Sequence, residues 1–340
     1  MTVRDEETPM IDVSSITAAP DIFPATSRLT ASNRWDHFLA RVGWKRSEHR
    51  VKPGLYALGK PTPESPVFVT ANYTLSFDAL RSAVDGIDGY ILVLDTQGIN
   101  VWCAAGKGTF GTDEVVQRVF ATGLKDVVSH RKLILPQLGA PGVAAHEVKK
   151  RTGFKVEYGP VRAADLPEYL RTRQATAEMR SVQFTLRDRA TLIPVELVHI
   201  ILPTLIVAVI LYFIGGIVSS LAAVTTVLAE TVLFPILLPW LPTHNFSTKG
   251  FILGGLAALP FALTVFLRHP DWSWYRQVGQ ALGFLFAMPA VTAFLTLNFT
   301  GSTTFTSRTG VRREIFAYIP VMAWTFAAGI VLNLAFAFIR

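Results

Sequence analysis

The residues with the most distinctive chemistry in this chain are Asn100-Val101-Trp102-Cys103-Ala104-Ala105-Gly106-Lys107, because they hold the single cysteine among 340 residues. The segment follows a strongly strand-like run, Tyr90-Ile91-Leu92-Val93-Leu94-Asp95. Asn100 is a good helix N-cap and Gly106 a good helix stop, so the spacing predicts about one and a half turns of helix with Cys103 as its third residue. At that place the positive end of the helix dipole favours the thiolate, the form that ligates metals and attacks electrophiles. A lone cysteine also reads as a small buried hydrophobe. A capped, glycine-flanked loop beyond the carboxyl end of a strand is an uncommon place for a core residue, which favours the reactive reading.

Other chemistries fail on spacing. Gly106-Lys107-Gly108-Thr109-Phe110-Gly111 fits the dinucleotide pattern G-x-G-x-x-G. It starts too far beyond Asp95 for the tight strand-to-helix turn that the motif needs, and Leu133-Ile134-Leu135 ends in Pro136-Gln137 with no acidic residue for a ribose. A Walker A loop fails because Val101 stands where its first glycine belongs. The D-x-H-x-x-G pattern that supplies a histidine to cobalt in many corrinoid enzymes is absent. One cysteine permits no intramolecular disulfide and no iron–sulfur cluster, which takes about four cysteine ligands. Any low-potential electrons must then come from another protein.

The elements around Cys103 are of two materials. Residues 1–189 carry 46 charged side chains and residues 190–340 only 11, and the mean hydropathy is +0.37. The net charge of +7 comes without a Lys/Arg run of the kind that binds nucleic acid. Residues 1–30, with Asp5, Glu6 and Glu7 and no apolar core, read as a flexible leader and not a secretory signal. Residues 31–185 read as a cytoplasmic domain and 190–340 as a membrane domain.

In the first domain, 33–60 reads as a preamble with an amphipathic piece (Trp35, Phe38, Leu39, Val42). Strands are expected at 66–73, 89–95, 132–137 and 155–158. Helices are expected at 76–84, from a Thr112 cap with Val115, Val116, Val119 and Phe120 as its apolar stripe, at 143–152, and from Leu166. Strands alternating with helices predict parallel crossovers and a sheet covered on both faces, with the ligand site outside the carboxyl ends of the strands. Those ends are 70–73, 97–107, 136–139 and 159–162, so Cys103 lies on that rim.

In the second domain, apolar stretches at about 192–214, 217–240, 250–267, 279–298 and 315–338 predict five spans, with Gly215-Gly216 as a very tight first connection. The positive-inside rule places Arg180, Arg187, Arg189, Lys249, Arg308, Arg312 and Arg313 inside, against Arg268, Arg276 and Arg340 outside. Glu196, His199 and Glu230 are costly in a span and so are candidates for transport or metal binding. Glu196-x-x-His199 echoes a di-metal motif, which lacks its second copy here. Asn298 to Ser307 is rich in hydroxyls and reads as a cytoplasmic docking surface or a plain connector.

Asn100 to Lys107 resembles the motif of the mercury-methylating corrinoid proteins of the HgcA family, and the likeness in architecture covers nearly the whole chain. Val69-Thr70-Ala71-Asn72-Tyr73, Leu94-Asp95-Thr96-Gln97-Gly98 and Tyr158-Gly159-Pro160-Val161-Arg162 are also similar to the corrinoid domain of the corrinoid iron–sulfur protein of acetyl-CoA synthesis. This chain departs from that relative in lacking the cluster cysteines and in having the Trp-Cys segment and the apolar half. The resemblance implies an α/β Rossmann-like corrinoid-binding domain followed by an all-α membrane domain of five transmembrane helices. It implies a methyltransferase of the plasma (inner) membrane, tied to anaerobic one-carbon metabolism. Such an enzyme passes a methyl group from the cobalt of a cobalamin-type cofactor to Hg(II), with Cys103 as lower axial ligand. The corrinoid would be lined by Thr70, Asn72, Tyr73, Asn100, Val101, Trp102, Cys103, Ala104, Ala105, Gly106, Lys107, Gly159, Pro160 and Val161. Asn100 and Gly106 would hold the helix, Trp102 would pack on the ring or anchor the helix in the core, and Lys107 would favour the thiolate or cap the helix end. The implied partners are HgcB, a ferredoxin-like protein with two [4Fe-4S] clusters, as electron donor and a methyltetrahydrofolate-dependent methyltransferase as methyl donor. A membrane-anchored methyl carrier with another acceptor is the nearest alternative, and a transporter or receptor with a soluble nucleotide-binding domain is the other.

Overall fold

The computed structural model describes residues 21–45, 48–303 and 307–338. The chain divides into two compact units: residues up to His37 with Lys45–Ser181, and Phe38–Trp44 with Val182 onward.

The first unit is built on six strands, β1 (Ile22–Ala25), β2 (Gly54–Leu58), β3 (Val67–Ala71), β4 (Gly89–Leu94), β5 (Lys132–Leu135) and β6 (Lys155–Tyr158). Their order across the sheet is β1-β2-β4-β3-β5-β6. The four strands read from the sequence run parallel to one another, while β2 lies antiparallel to β4, and β1 runs parallel to β2. The sheet is therefore mixed, which corrects the all-parallel expectation. Residues 22–25, read as leader, and 54–58, read as preamble, supply the extra edge. Both are too short to show a period, and pairing decides their state, β2 on the edge of β4 and β1 on the edge of β2. Most of the expected leader, residues 1–20, lies outside the described residues.

The helices of this unit are α1 (Ala31–Arg41), α2 (Thr74–Ala83), α3 (Val101–Lys107), α4 (Thr112–Ala121), α5 (Leu124–Val127), α6 (Ala145–Thr152), α7 (Leu166–Thr172) and α8 (Ala177–Arg180). Period-two alternation sorts the strand residues onto two faces. Val67, Val69, Leu92, Leu94, Leu133 and Leu135 pack with Val101, Ala104, Val115, Val119 and Val148 from α3, α4 and α6. Phe68, Ile91, Val93 and Ile134 pack with Phe77, Leu80, Leu166 and Tyr169 from α2 and α7. Each fully buried side chain of this size contributes about 1.5–3 kcal/mol. Phe120 does not join the stripe expected of it and is 63% exposed, because it falls on the outer side of α4.

A buried polar anchor ties the start of this unit to α2. Arg81 is 6% exposed. Its Nε donates to Asp78 at 2.6 Å and its guanidinium to the carbonyls of Thr26 (2.5 Å) and Arg28 (2.8 Å) and to Asn33 Oδ1 (3.1 Å). Asp78 also meets His37 at 2.7 Å.

The second unit is helical: α9 (Leu186–Ala190), α10 (Ile193–Leu228), a π-helical turn at Ala229–Leu233, α11 (Phe234–Leu237), α12 (Phe246–Arg268), α13 (Trp274–Thr296) and α14 (Arg308–Phe338). Among the described residues, four stretches are long and apolar enough to cross a membrane: Leu186–Leu237, Phe246–Arg268, Trp274–Gly301 and Thr309–Phe336. The first two spans expected from the sequence fall in the single stretch Leu186–Leu237. Its 52 residues far exceed the roughly 20 that a bilayer needs, and its backbone leaves helical angles at Gly216 (φ 70°, ψ −170°). Leu192 packs against the cluster of Phe234, Leu238 and Phe246, whereas Val218 packs against Ala258, Val265 and Phe284.

Helices α12, α13 and α14 pack through small residues. A Cβ on Gly250 would sit 2.5 Å from Ala293 Cα, and one on Gly254 2.6 Å from Pro289 Cα. As numbers rise on α12 they fall on α13, so the pair is antiparallel. The same holds for Gly283 against Asn333 and Ala287 against Gly329 on α13 and α14. Such close approach is how apolar helices associate where burial from water offers no drive. The loop expected at 298–307 is largely folded into this unit. Leu297–Ser302 is a 3₁₀ turn, Phe299 is buried against Phe234, and Thr300 and Thr303 are buried as well. Of the segment expected to be a docking surface or a plain connector, Asn298, Gly301 and Ser307 are exposed, while residues 304–306 and Arg340 lie outside the described residues.

Replacing Arg81 with Ala leaves the buried Asp78 carboxylate without its arginine, with the His37 ring as its remaining side-chain partner. Removing one member of a buried ion pair costs about 3–5 kcal/mol. Thermal denaturation of the purified chain should show the first unit melting earlier in R81A, whereas exposed Phe120→Ser should leave the midpoint nearly unchanged.

Candidate functional site

The site is assembled from the carboxyl end of β3 outward. Asn72 follows β3 and is 1% exposed, so each of its polar atoms needs a partner. Its Oδ1 accepts from Thr96 N (3.1 Å), Thr96 Oγ1 (2.9 Å) and Gly98 N (3.0 Å), and its Nδ2 donates to Asp95 Oδ1 at 3.1 Å. Asp95 Oδ1 also accepts from Gln97 N at 3.0 Å, and Asp95 N donates to Glu114 on α4 at 2.8 Å. These bonds hold a turn in which Gln97 (φ 57°) and Gly98 (φ 74°) are both left-handed. Thr96 Oγ1 closes the turn on Ile99 O at 2.6 Å.

The turn delivers Asn100 in an extended conformation (φ −64°, ψ 160°), and its side chain accepts from Cys103 N at 2.9 Å. Asn100 is thus the N-cap of α3 and Cys103 its third residue. The helix does not stop at Gly106 as the sequence predicts. It ends on left-handed Gly108 (φ 89°), because Gly106 and Lys107 still hold helical geometry. Phe110, wholly buried, returns its N–H to Ala104 O at 3.2 Å and pins the helix end.

The loop after β5 supports α3 from below. A Cβ on Gly142 would meet Phe110 O and lie 3.0 Å from Ala105 Cα, and one on Gly139 would strike the Phe110 ring. Ala104 and Ala105 are buried at this contact, so α3 rests on the 137–142 segment almost backbone to backbone. Thr112, expected as the cap of α4, is instead its first residue after Gly111, and its Oγ1 accepts from Ala144 N at 2.8 Å. That bond fastens the same loop.

The residues expected to line a cofactor separate by burial. Thr70, Asn72, Val101, Ala104, Ala105, Gly159 and Pro160 are buried. Gly159 N bonds Leu135 O (2.8 Å) and Pro160 O accepts from Gln137 N (3.3 Å), so the β6 end is sealed onto the β5 end. Tyr73, Asn100, Trp102, Cys103 and Val161 are partly exposed, and Gly106 and Lys107 are exposed. The open surface at this rim is therefore narrower than the sequence implies, and Trp102 and Cys103 are its centre. Supporting residues outside the expected lining are Thr96 and Gly98, from the Leu94–Gly98 segment that carries the resemblance, and Glu114. An asparagine at a strand end followed by a turn-forming Asp-Thr-Gln-Gly was their available signal. One polar atom beneath α3, Thr109 Oγ1, is buried with no hydrogen-bond partner.

Among the described residues no three His, Cys, Asp or Glu side chains cluster as a metal site would require. The rim therefore presents one soft donor, a free thiol, on a rigidly capped turn. Glu196 and His199 in the second unit form no such site either; the His199 ring nitrogen Nδ1 bonds Val195 O at 2.6 Å.

Asn72→Ala leaves the buried N–H groups of Thr96 and Gly98 without an acceptor. Each orphaned group costs about 1–3 kcal/mol. Hydrogen exchange should show amide protection at 96–104 falling selectively in N72A, with β5 and β6 protection retained.

Residues 45–170 match the family described as CO dehydrogenase/acetyl-CoA synthase delta subunit, ending before the apolar half begins. The acetyl-CoA decarbonylase/synthase complex subunit gamma of Methanopyrus kandleri is 35% identical over 127 residues, and that of Archaeoglobus fulgidus 34% over 127. Each match covers 37% of this chain and 27% of the relative. The corrinoid/iron-sulfur protein large subunit of Moorella thermoacetica is 26% identical over 150 residues, 42% of this chain and 33% of the relative. The chain thus spans between a quarter and a third of the length of these relatives. The β-sheet unit that carries Cys103 is similar, over residues 45–170, to the CO dehydrogenase/acetyl-CoA synthase delta subunit family.

Proposed function

We propose that this chain is a membrane-anchored, corrinoid-dependent methyltransferase that methylates Hg(II), with the Cys103 thiolate as lower axial ligand of cobalt. The observation that carries the reading is the placement of Cys103. It is partly exposed, third in a capped helix, on the carboxyl rim of a domain whose Moorella thermoacetica relative is by name a corrinoid protein. The donor set fits the cofactor: one thiol suits a metal whose equatorial positions a macrocycle already fills, and does not suit a bare ion. Bound there, a corrinoid supplies cobalt able to carry a methyl group, and a strong thiolate donor opposite that group favours its delivery to a soft electrophile.

The protein's part is to hold the sulfur. Asn100 takes the Cys103 N–H, so the helix start cannot fray. Ala104 and Ala105 let α3 seat closely on the loop after β5. Trp102, partly exposed beside Cys103, offers an apolar face to a flat ligand, and Lys107 adds positive charge at the rim. With one cysteine in 340 residues the chain holds no cluster of its own, so reduction falls to a ferredoxin-like partner of the HgcB kind. A methyltetrahydrofolate-dependent methyltransferase is the matching methyl donor.

The apolar unit anchors this chemistry to the plasma membrane with the β-sheet unit in the cytoplasm. We read five crossings, the chain reversing at Gly216. The non-helical angles there support this, as do the contacts of Leu192 and Val218 with opposite ends of α12. A second reading, a methyl carrier of one-carbon metabolism with another acceptor, is favoured by the similarity to subunits of acetyl-CoA-forming complexes.

Anaerobic absorption spectra of the corrinoid-loaded chain, wild type against Cys103→Ala, test the ligand. The mutant should lose the thiolate-dependent feature and at least about 90% of its methylmercury formation. Full methylation by C103A with an unchanged spectrum overturns the assignment, and product analysis with and without Hg(II) separates the two acceptors. Topology is tested independently. Five crossings put a reporter fused after Arg340 on the opposite side of the membrane from one fused at the N-terminus, and four put both on the same side.

A further inference from the structure

Four ionisable side chains of the helical unit are strongly buried among the described residues, and three of them have an evident partner, although Arg189 Nε has no hydrogen-bond acceptor. Lys249 Nζ donates to the carbonyls of Leu238 (2.8 Å) and Leu241 (2.5 Å), at the end of the chain leaving α11. Glu314 accepts from Ser247 N at 2.5 Å, in the first turn of α12, where free N–H groups need an acceptor. Arg189 stacks over the Trp240 ring at 5.6 Å. Glu230 is the exception.

Glu230 is 2% exposed and sits in the π-helical turn Ala229–Leu233, flanked by wholly buried Thr231. A π-turn inserts a residue into an α-helix at a cost in hydrogen-bond geometry, and such turns concentrate at functional positions. Its Oε1 has no hydrogen-bond partner. Its Oε2 lies 3.0 Å from Thr231 Oγ1, which is itself 2.8 Å from Val227 O. Thr231 Oγ1 has a single proton to share between Glu230 Oε2 and Val227 O, so the carboxyl group has at most one hydrogen bond.

The surrounding charges agree. The elements packed on the π-turn are α10, α11, α12 and α13. From α10 the ionisable groups are Glu196, Tyr212 and His199, whose Nδ1 is bonded to Val195 O. Helix α11 has none. Helix α12 offers Lys249, engaged with two carbonyls, and Arg268 at its far end. Helix α13 offers Arg276, bonded to Phe336 O at 3.1 Å. No cation among the described residues pairs with Glu230, and an unpaired carboxylate in an apolar interior is far costlier than the neutral acid.

We propose that Glu230 is a proton-binding site inside the helical unit, a carboxylic acid that releases its proton to water as the pH is raised. The exchange leaves a carboxylate and a hydronium and needs no other reactant. This assigns the apolar half a proton-binding group, independent of the corrinoid reading.

The test uses the full chain in lipid nanodiscs. The infrared difference spectrum of wild type minus Glu230→Gln, near neutral pH, should show a protonated-carboxyl C=O band that shifts in D₂O and bleaches as the pH is raised. The apolar reagent dicyclohexylcarbodiimide should modify Glu230, less so at alkaline pH. A wild-type difference containing only carboxylate bands overturns the proposal, and so does protection from the reagent by sodium at constant pH, which would assign a metal cation. Should E230Q not fold, the pH titration of the band in wild type and in Glu230→Asp, where its frequency should move, decides the question.

Discussion

One buried amide determines where the cysteine helix begins. Asn72 makes four side-chain hydrogen bonds, three through one oxygen, to the turn that follows β4. Its burial at the end of β3 leaves it no water to turn to, so those bonds are compulsory. The turn they impose contains two successive left-handed residues, a conformation that costs Gln97 strain and Gly98 little. Everything downstream follows from this: the extended Asn100, its cap on Cys103, and the seat of α3 on the β5 loop. The site is fixed by β3 and β4 together, neighbours in the sheet but separated in sequence by a helix.

What was legible in the sequence was whatever local chemistry decides. The four parallel strands β3 to β6 and α2, α4, α6 and α7 follow from period and punctuation, and the Asn100 cap from side-chain type. What escaped was decided by pairing. The strands 22–25 and 54–58 have no periodic signature and exist because β4 has a free edge for β2 to take. The helix stop moved from Gly106 to Gly108 because a glycine inside a short helix is tolerated when its neighbours are buried, as Ala104 and Ala105 are. Asn72, expected to face a cofactor, is buried and engages two backbone amides and the side chains of Thr96 and Asp95.

The apolar half shows the same division. Hydropathy marked the segments, yet the first two merge into one stretch, because Gly216 departs from helical angles while the chain on either side remains helical. The polar residues that look costly there mostly complete helix ends. Lys249 serves carbonyls and Glu314 serves an amide, tasks that water performs at the surface and that side chains must perform in an apolar interior. Gly250, Gly254, Gly283 and Gly329 mark the helix crossings, where a single methyl group would collide with the facing helix. Composition therefore announces a membrane-type unit, and close packing gives it a defined shape.

The rigidity around Cys103 bears on why a thiol would serve there at all. A cysteine on a mobile loop can follow a soft metal ion wherever it goes and be carried off with it, and mercury binds thiolates tightly. Here the Cα of Cys103 is fixed by the Asn100 cap, and the next two residues are pressed onto the backbone at Gly142, so the helix has no slack. A donor with one fixed direction suits a metal held from its other sides, whose reactive face lies opposite. The same fixity keeps the sulfur from becoming a site for free metal. With no second cysteine in the chain and no cluster of ligating side chains among the described residues, a captured ion would find no further ligand. On the proposed reading, the surroundings of Cys103 suit a single protein donor to a metal that a macrocycle already holds.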